Sequence, residues 1–189
     1  MAIIKMPKFN LQKVKADAKQ GFDKLAKGGF QKIFNQIDQL KIKKGVDELG
    51  IEKFVNQCAL MAAGSGALTG LGGVSTMLLG IPVDMINLIT QQFRITMAIN
   101  YYYRGEQKIG FDEFIKVVAT SLKVDASVTV TKNVLEEIAE KLMLNMGSKA
   151  AERLVPVVGA VIGGSANYLF IKRMAGRVTE MISPSPLTP

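Results

Sequence analysis

Apolar residues recur at helical spacing along most of this chain. From Leu11 they run Leu11, Val14, Ala18, Phe22 and Leu25, at intervals of 3, 4, 4 and 3. On a helical wheel they share an arc of about 80°, and Lys13, Lys15, Lys19, Lys24 and Lys27 occupy the remainder. Gly28 and Gly29 interrupt the pattern. It resumes with Phe30, Ile33, Phe34, Ile37 and Leu40, which predicts a second amphipathic helix ending in the lysine-rich turn Lys41–Gly45. Both helices are read either as surface helices packing one face on the body or as a basic element lying on anionic lipid.

The middle of the chain changes character. Between Lys53 and Asp84 lie thirty residues without a charge, six of them glycine (Gly64, Gly66, Gly70, Gly72, Gly73, Gly80). The length would permit a membrane span, but the glycines, with Ser65, Thr69, Ser75 and Thr76, lower helix propensity and hydrophobicity. A helix, a bend near Leu71–Gly73 and a second short helix before Pro82 are predicted instead. Pro82 suits the first turn of a new helix, where its missing N–H costs nothing. That helix is predicted over Pro82–Tyr103, with Gly105 just beyond it. Asp84, Asn87, Gln91 and Arg94 share one of its faces; Ile86, Ile89, Phe93 and Met97 share the other.

Asp112 is the expected cap of a helix over Phe111–Val124. Val128–Thr131 has strand-like propensity, yet Val134, Leu135, Ile138 and Leu142 keep helical spacing, so a helix is predicted over Ser127–Met146, ended by Gly147. A second uncharged stretch covers the eighteen residues Leu154–Ile171, with Gly159 and Gly163 four apart and Asn167 continuing their row. Its helix should reach Ile182. The tail Ser183–Pro189 holds three of the six prolines and is expected to be frayed or disordered. No strand pair is found. The expected fold is all-α: a compact helical bundle with a glycine-rich apolar hairpin and a long C-terminal helix. Lysine-rich helices over 1–53, a helical domain over 54–182 and a tail over 183–189 make up the expected organisation.

Composition narrows the chemistry. The 189 residues are 48% hydrophobic, enough for a core without metals or disulfides. There is no histidine, which excludes His-based triads and His-ligated metals, and the single Cys58 cannot form an internal disulfide or a Cys-rich zinc site. The net charge of +8 is uneven: residues 1–53 hold twelve lysines against six acids. Every basic residue there is lysine, a point charge that attracts phosphate without the planar fork that reads bases. An anionic lipid surface or a nucleic-acid backbone would answer to it, but no nucleic-acid module is present. Met1–Pro7 is too short and too interrupted to read as a signal peptide.

Two blocks resemble the EcsC family of bacterial proteins. One is Gly64–Gly105, GSGALTGLGGVSTMLLGIPVDMINLITQQFRITMAINYYYRG; the other is Leu154–Asn167, LVPVVGAVIGGSAN. The first is similar to that family's glycine-rich segment followed by an Asp-containing helix and an aromatic-Gly turn. The second is similar to its Pro-x-x-Gly and Gly-x-x-x-Asn segment. The resemblance covers about Val55 to Ile182. It departs at Tyr103-Arg104-Gly105, where the family has a plain Tyr-Gly. It implies a helical protein without established enzymatic activity, named for an association with a transport operon.

Candidate site residues follow from placement. Small residues every fourth position, Gly66 and Gly70 or Gly159 and Gly163, let helix backbones approach closely. Internal packing, a membrane hairpin or an oligomer interface would each use them. Asp84 in a first turn is favoured by the helix dipole, and the stripe Asp84, Asn87, Gln91 and Arg94 is either a solvated face or a lining for a lipid headgroup or partner. Asn167, in an uncharged helix, must be hydrogen-bonded if buried; a helix–helix bond or a ligand contact would serve. Lys172, Arg173 and Arg177 follow the second apolar stretch, favoured by the helix dipole or placed at headgroup level. Tyr101, Tyr102 and Tyr103 are core-and-rim aromatics or interfacial anchors. Glu136, Glu137 and Glu140 read as a solvated helix face. No catalytic residue, metal or cofactor is expected.

The expected function is therefore non-enzymatic: peripheral association with an anionic membrane through the lysines and the glycine-rich apolar core, at the inner face of the bacterial membrane. The alternative is a soluble scaffold whose apolar helical face binds a partner protein or a second copy. Nucleic acid is not an expected partner.

Overall fold

The computed structural model describes residues 23–64, 83–106, 108–125, 129–145 and 159–183. Among these there are seven α-helices and no strand: α1 Phe30–Gln36, α2 Gln39–Leu49, α3 Ile51–Ala63, α4 Val83–Arg104, α5 Phe111–Ser121, α6 Lys132–Asn145 and α7 Gly159–Ile182. The fold is all-α, with the helices packed on one another.

The chain enters through a helical turn, Leu25–Gly29, that buries Leu25 and Ala26 and then kinks. Gly28 takes φ 130°, a backbone conformation that side chains with a Cβ disfavour, so the expected break at Gly28 is present. From α1, Phe30, Ile33 and Phe34 enter the core. Phe30 lies 6.0 Å from Phe93, Phe34 5.1 Å from Phe114, and Phe93 meets Phe114 edge-on at 4.7 Å. These aromatic contacts join α1, α4 and α5 around one apolar centre.

The lysine-rich turn expected at Lys41–Gly45 is instead helix. The chain leaves helical geometry at Ile37 (φ −83°, ψ 117°), and the Asp38 side chain accepts from the backbone N–H groups of Leu40 and Lys41 at 3.0 and 3.2 Å. Asp38 thus caps α2. Gln39 anchors that start, donating to Ile109 O at 3.2 Å and accepting from Ile109 N at 2.9 Å. The cap and anchor rotate Leu40 off the buried face, and it is 54% exposed.

Helices α3, α4 and α7 pack against one another and form the centre of the bundle; α2 lies on α3 and α4, and α5 on α4 and α7. Gly50 (φ 77°) makes the corner between α2 and α3, so positions 53 and 54 both fall inside α3. Helix α4 ends as expected: Gly105 (φ 71°) donates its N–H to Tyr101 O at 2.8 Å.

Two expected starts are corrected. The residue before α5 is Gly110, with no side-chain cap, and Asp112 lies within the first turn, exposed. The helix stops at Ser121 rather than Val124, because Lys123 adopts φ 60°. Helix α6 begins at Lys132, five residues later than predicted; Thr131 Oγ1 accepts from Val134 N–H at 3.4 Å and marks its start. The predicted bend at Leu71–Gly73, the stop at Gly147 and the tail after Ser183 lie outside the described residues.

Candidate functional site

The last carbonyls of any helix lack intrahelical partners. At the end of α3, two neighbouring helices supply them. Asn87 Nδ2 of α4 donates to Met61 O at 2.8 Å, and Asn167 Nδ2 of α7 donates to Ala62 O at 3.0 Å. Two amides thus cap adjacent carbonyls and fix the three central helices in register.

A relay stands behind Asn87. Gln91 Nε2 donates to Asn87 Oδ1 at 3.0 Å, and Arg94 Nη1 donates to Gln91 Oε1 at 3.1 Å. Arg94 also reaches Met61 Sδ at 3.4 Å and lies 5.5 Å over the Phe54 ring. Each donor orients the next acceptor, and such chains polarise one another in a low dielectric. The expected stripe is real as a row, but it is not a solvated face. Asn87 and Gln91 are 2% and 0% exposed, so α4 is buried on its polar side as well as its apolar one. The side chain of Asp84 lies outside the described residues.

Cys58 sits on α3 between Phe54 and Met61, fully buried. Burial pushes its thiol up to about 11, with the nearby Arg94 charge pulling the other way. It is a packed neutral thiol rather than a nucleophile.

Sequence reasoning missed a second polar row on α4. Gln92, Thr96 and Asn100 recur at intervals of four and are almost wholly buried. Thr96 Oγ1 turns back to Gln92 O at 2.9 Å, and Asn100 Nδ2 donates to Glu106 Oε2 at 2.7 Å. Among the described residues, neither amide atom of Gln92 has a partner, nor has Asn100 Oδ1. The four-residue spacing was the available signal.

The far end of α4 carries an open cleft of about 590 Å³ lined by Lys43, Val46, Asp47, Gly50, Tyr101, Tyr102 and Gly105. Its polar groups satisfy one another. Lys43 Nζ lies 2.6 Å from Asp47, the Tyr101 hydroxyl donates to Asp47 at 2.8 Å, and the ammonium stands 5.1 Å from the Tyr101 ring centroid. The hydrogen bond to Lys43 holds the Asp47 carboxyl below its ordinary value, and the same bond raises Lys43. Tyr102 and Tyr103 are exposed at the rim.

Other candidates separate. Lys13, Lys15, Lys19, Gly66 and Gly70 lie outside the described residues; Lys24 is half-buried and Lys27 exposed. Gly159 and Gly163 fall within α7, but their surroundings lie outside the described residues. Asn167 makes the helix–helix bond expected of it. Glu136 pairs with Lys132 at 3.1 Å, and Glu137 and Glu140 are exposed. Among the described residues no group of three His, Cys, Asp or Glu could hold a metal ion, and no helix is long and apolar enough to cross a membrane. No protein-family model, no curated protein and no solved structure matches this chain.

Proposed function

We propose that the protein is a non-enzymatic peripheral membrane protein that engages anionic lipid, at the inner face of a bacterial membrane, through its lysines and its uncharged apolar stretches. The resemblance to the EcsC family belongs to the same proposal. One observation carries the reading: charge and apolarity are segregated along the chain. Twelve lysines precede a thirty-residue stretch without a charge. Segregated lysines beside apolar sequence suit an interface where anionic headgroups cover hydrocarbon. The relay at the end of α3 supports the non-enzymatic half of the reading. Asn87 and Asn167 are engaged with backbone carbonyls, Gln91 with Asn87 and Arg94, and the neighbouring Cys58 thiol is held protonated.

The test uses the full chain, because Phe30 and Phe34 belong to the core and a deletion reaching Gly45 would open it. Lys13, Lys15, Lys19 and Lys27 are replaced together by Gln. Co-sedimentation with vesicles of mixed anionic and zwitterionic lipid should fall by about fivefold per lysine brought near the surface, and added salt should weaken the unsubstituted protein. Binding that is unchanged by the four substitutions and by salt would reject the reading. Absence of vesicle binding, with capture of a protein partner insensitive to lipid, would favour the scaffold alternative.

A further inference from the structure

Two hydrogen bonds set the register of α3 against α7. Asn167 meets Ala62, and Lys172 Nζ donates to Asn56 Oδ1 at 2.8 Å. The helices are antiparallel, and the pairing places Leu60 level with Leu169. Both point outward: Leu60 is 63% and Leu169 50% exposed, the most exposed large apolar residues of these two helices. The two helices thus present exposed apolar side chains at one height.

Charge is graded away from that level. With a rise of about 1.5 Å per residue, Lys172 and Arg173 lie about 5–6 Å along α7 from Leu169. Lys53 lies about 10 Å along α3 from Leu60, and Arg177 about 12 Å from Leu169. All four cations are exposed, and among the described residues Lys53, Arg173 and Arg177 form no ion pair. The acids of these helices, Glu52 and Glu180, stand farther from the leucines than any of the cations on their own helix.

We infer that the α3–α7 face is the membrane-docking surface: Leu60 and Leu169 enter the acyl boundary of an anionic bilayer while Lys53, Lys172, Arg173 and Arg177 lie at the level of the headgroup phosphates. This rests on the membrane reading above and adds the surface that makes the contact. With this face laid on the bilayer, the leucines meet the acyl boundary while the long Lys and Arg side chains that flank them along α3 and α7 reach up to the phosphates. A second copy of the chain would present the same unpaired cations to itself, which disfavours self-association through this face.

The chain contains no tryptophan, so each introduced one reports on its own position. Leu60→Trp and Leu169→Trp should shift to the blue on anionic vesicles and be quenched by brominated acyl chains. Leu40→Trp is the control. Leu40 adjoins Gln39, which bonds Ile109 beyond the opposite end of α4, and its emission should stay that of water. Leu60→Asp with Leu169→Asp should weaken vesicle binding about tenfold or more with the helical circular dichroism unchanged. Lys53→Gln and Arg173→Gln should weaken it about fivefold each.

The outcomes separate the two levels. If the full chain sediments with vesicles but the probes at 60 and 169 remain water-like, this surface is wrong while the membrane reading stands. If the full chain binds no anionic vesicle, both fall. A blue shift that depends on protein concentration and needs no lipid overturns the inference in favour of a second copy.

Discussion

Asn87→Ala tests whether the α4 relay is a structural cap. Asn87 is 2% exposed and makes two bonds, to Met61 O at 2.8 Å and from Gln91 Nε2 at 3.0 Å. Alanine removes both and leaves a carbonyl and an amide N–H without their partner in a largely buried site. An unmet buried group costs about 1–3 kcal/mol, so the expected loss is about 2–5 kcal/mol. For a chain of this size that lowers Tm by about 2–4 °C per kcal/mol. Urea unfolding followed by circular dichroism at 222 nm reads the loss, provided the slope with denaturant is unchanged. The comparison is Asn35→Ala, which removes an exposed Gln31–Asn35 bond of 3.0 Å and should cost no more than about 0.5 kcal/mol. Adding Gln91→Ala should be less than additive, since the two residues share a bond. A loss for Asn87→Ala that matches Asn35→Ala would refute the capping argument.

Four further outcomes follow from local geometry. A Cβ at Gly45 would stand 2.7 and 2.9 Å from two ring atoms of Phe54, itself 2% exposed beneath Arg94, so Gly45→Ala should cost about 1–3 kcal/mol and lower the urea midpoint. Gly105 (φ 71°) has open space around it, and Gly105→Ala should lose about 1–2 kcal/mol from backbone conformation alone, with Gly105→Asn losing less. Cys58 should resist thiol reagents in the native state and label rapidly in denaturant. Its folded pKa is raised, so the stability it contributes is complete below the unfolded value and is lost as pH rises towards about 11, which a pH series of unfolding curves will show. Gln92→Met keeps volume and removes two unpartnered polar atoms, and should raise stability by about 1–3 kcal/mol in the same unfolding assay.

Much of the fold was legible because local and tertiary preferences agreed. Gly28 and Gly105 end helical runs where positive φ is needed, and the apolar row Ile86, Ile89, Phe93 and Met97 is buried as its spacing requires. The errors came where a distant residue decided the outcome. Asp38 became a cap because Gln39 is tied to Ile109, seventy positions away. Spacing alone carried the apolar row on through Ile37 and Leu40. Asp112 has a capping side chain, but the chain enters α5 two residues too early for it to be used.

The polar positions of α4 show the deeper limit. Spacing placed Asn87, Gln91 and Arg94 in one row, and a row of amides beside an arginine reads as solvated by every local criterion. What buries it is the end of α3, whose bare carbonyls need donors and whose position no local pattern reveals. The same register works in the opposite direction for Leu60 and Leu169. Each lies in an uncharged stretch where an apolar residue reads as core. Once Asn167 reaches Ala62 and Lys172 reaches Asn56, both leucines are turned to the outside at one level. Amides inside and leucines outside are thus two consequences of one pairing on α7: the face carrying Asn167 turns to α3, and Leu169, two residues on, falls on the other side of the helix.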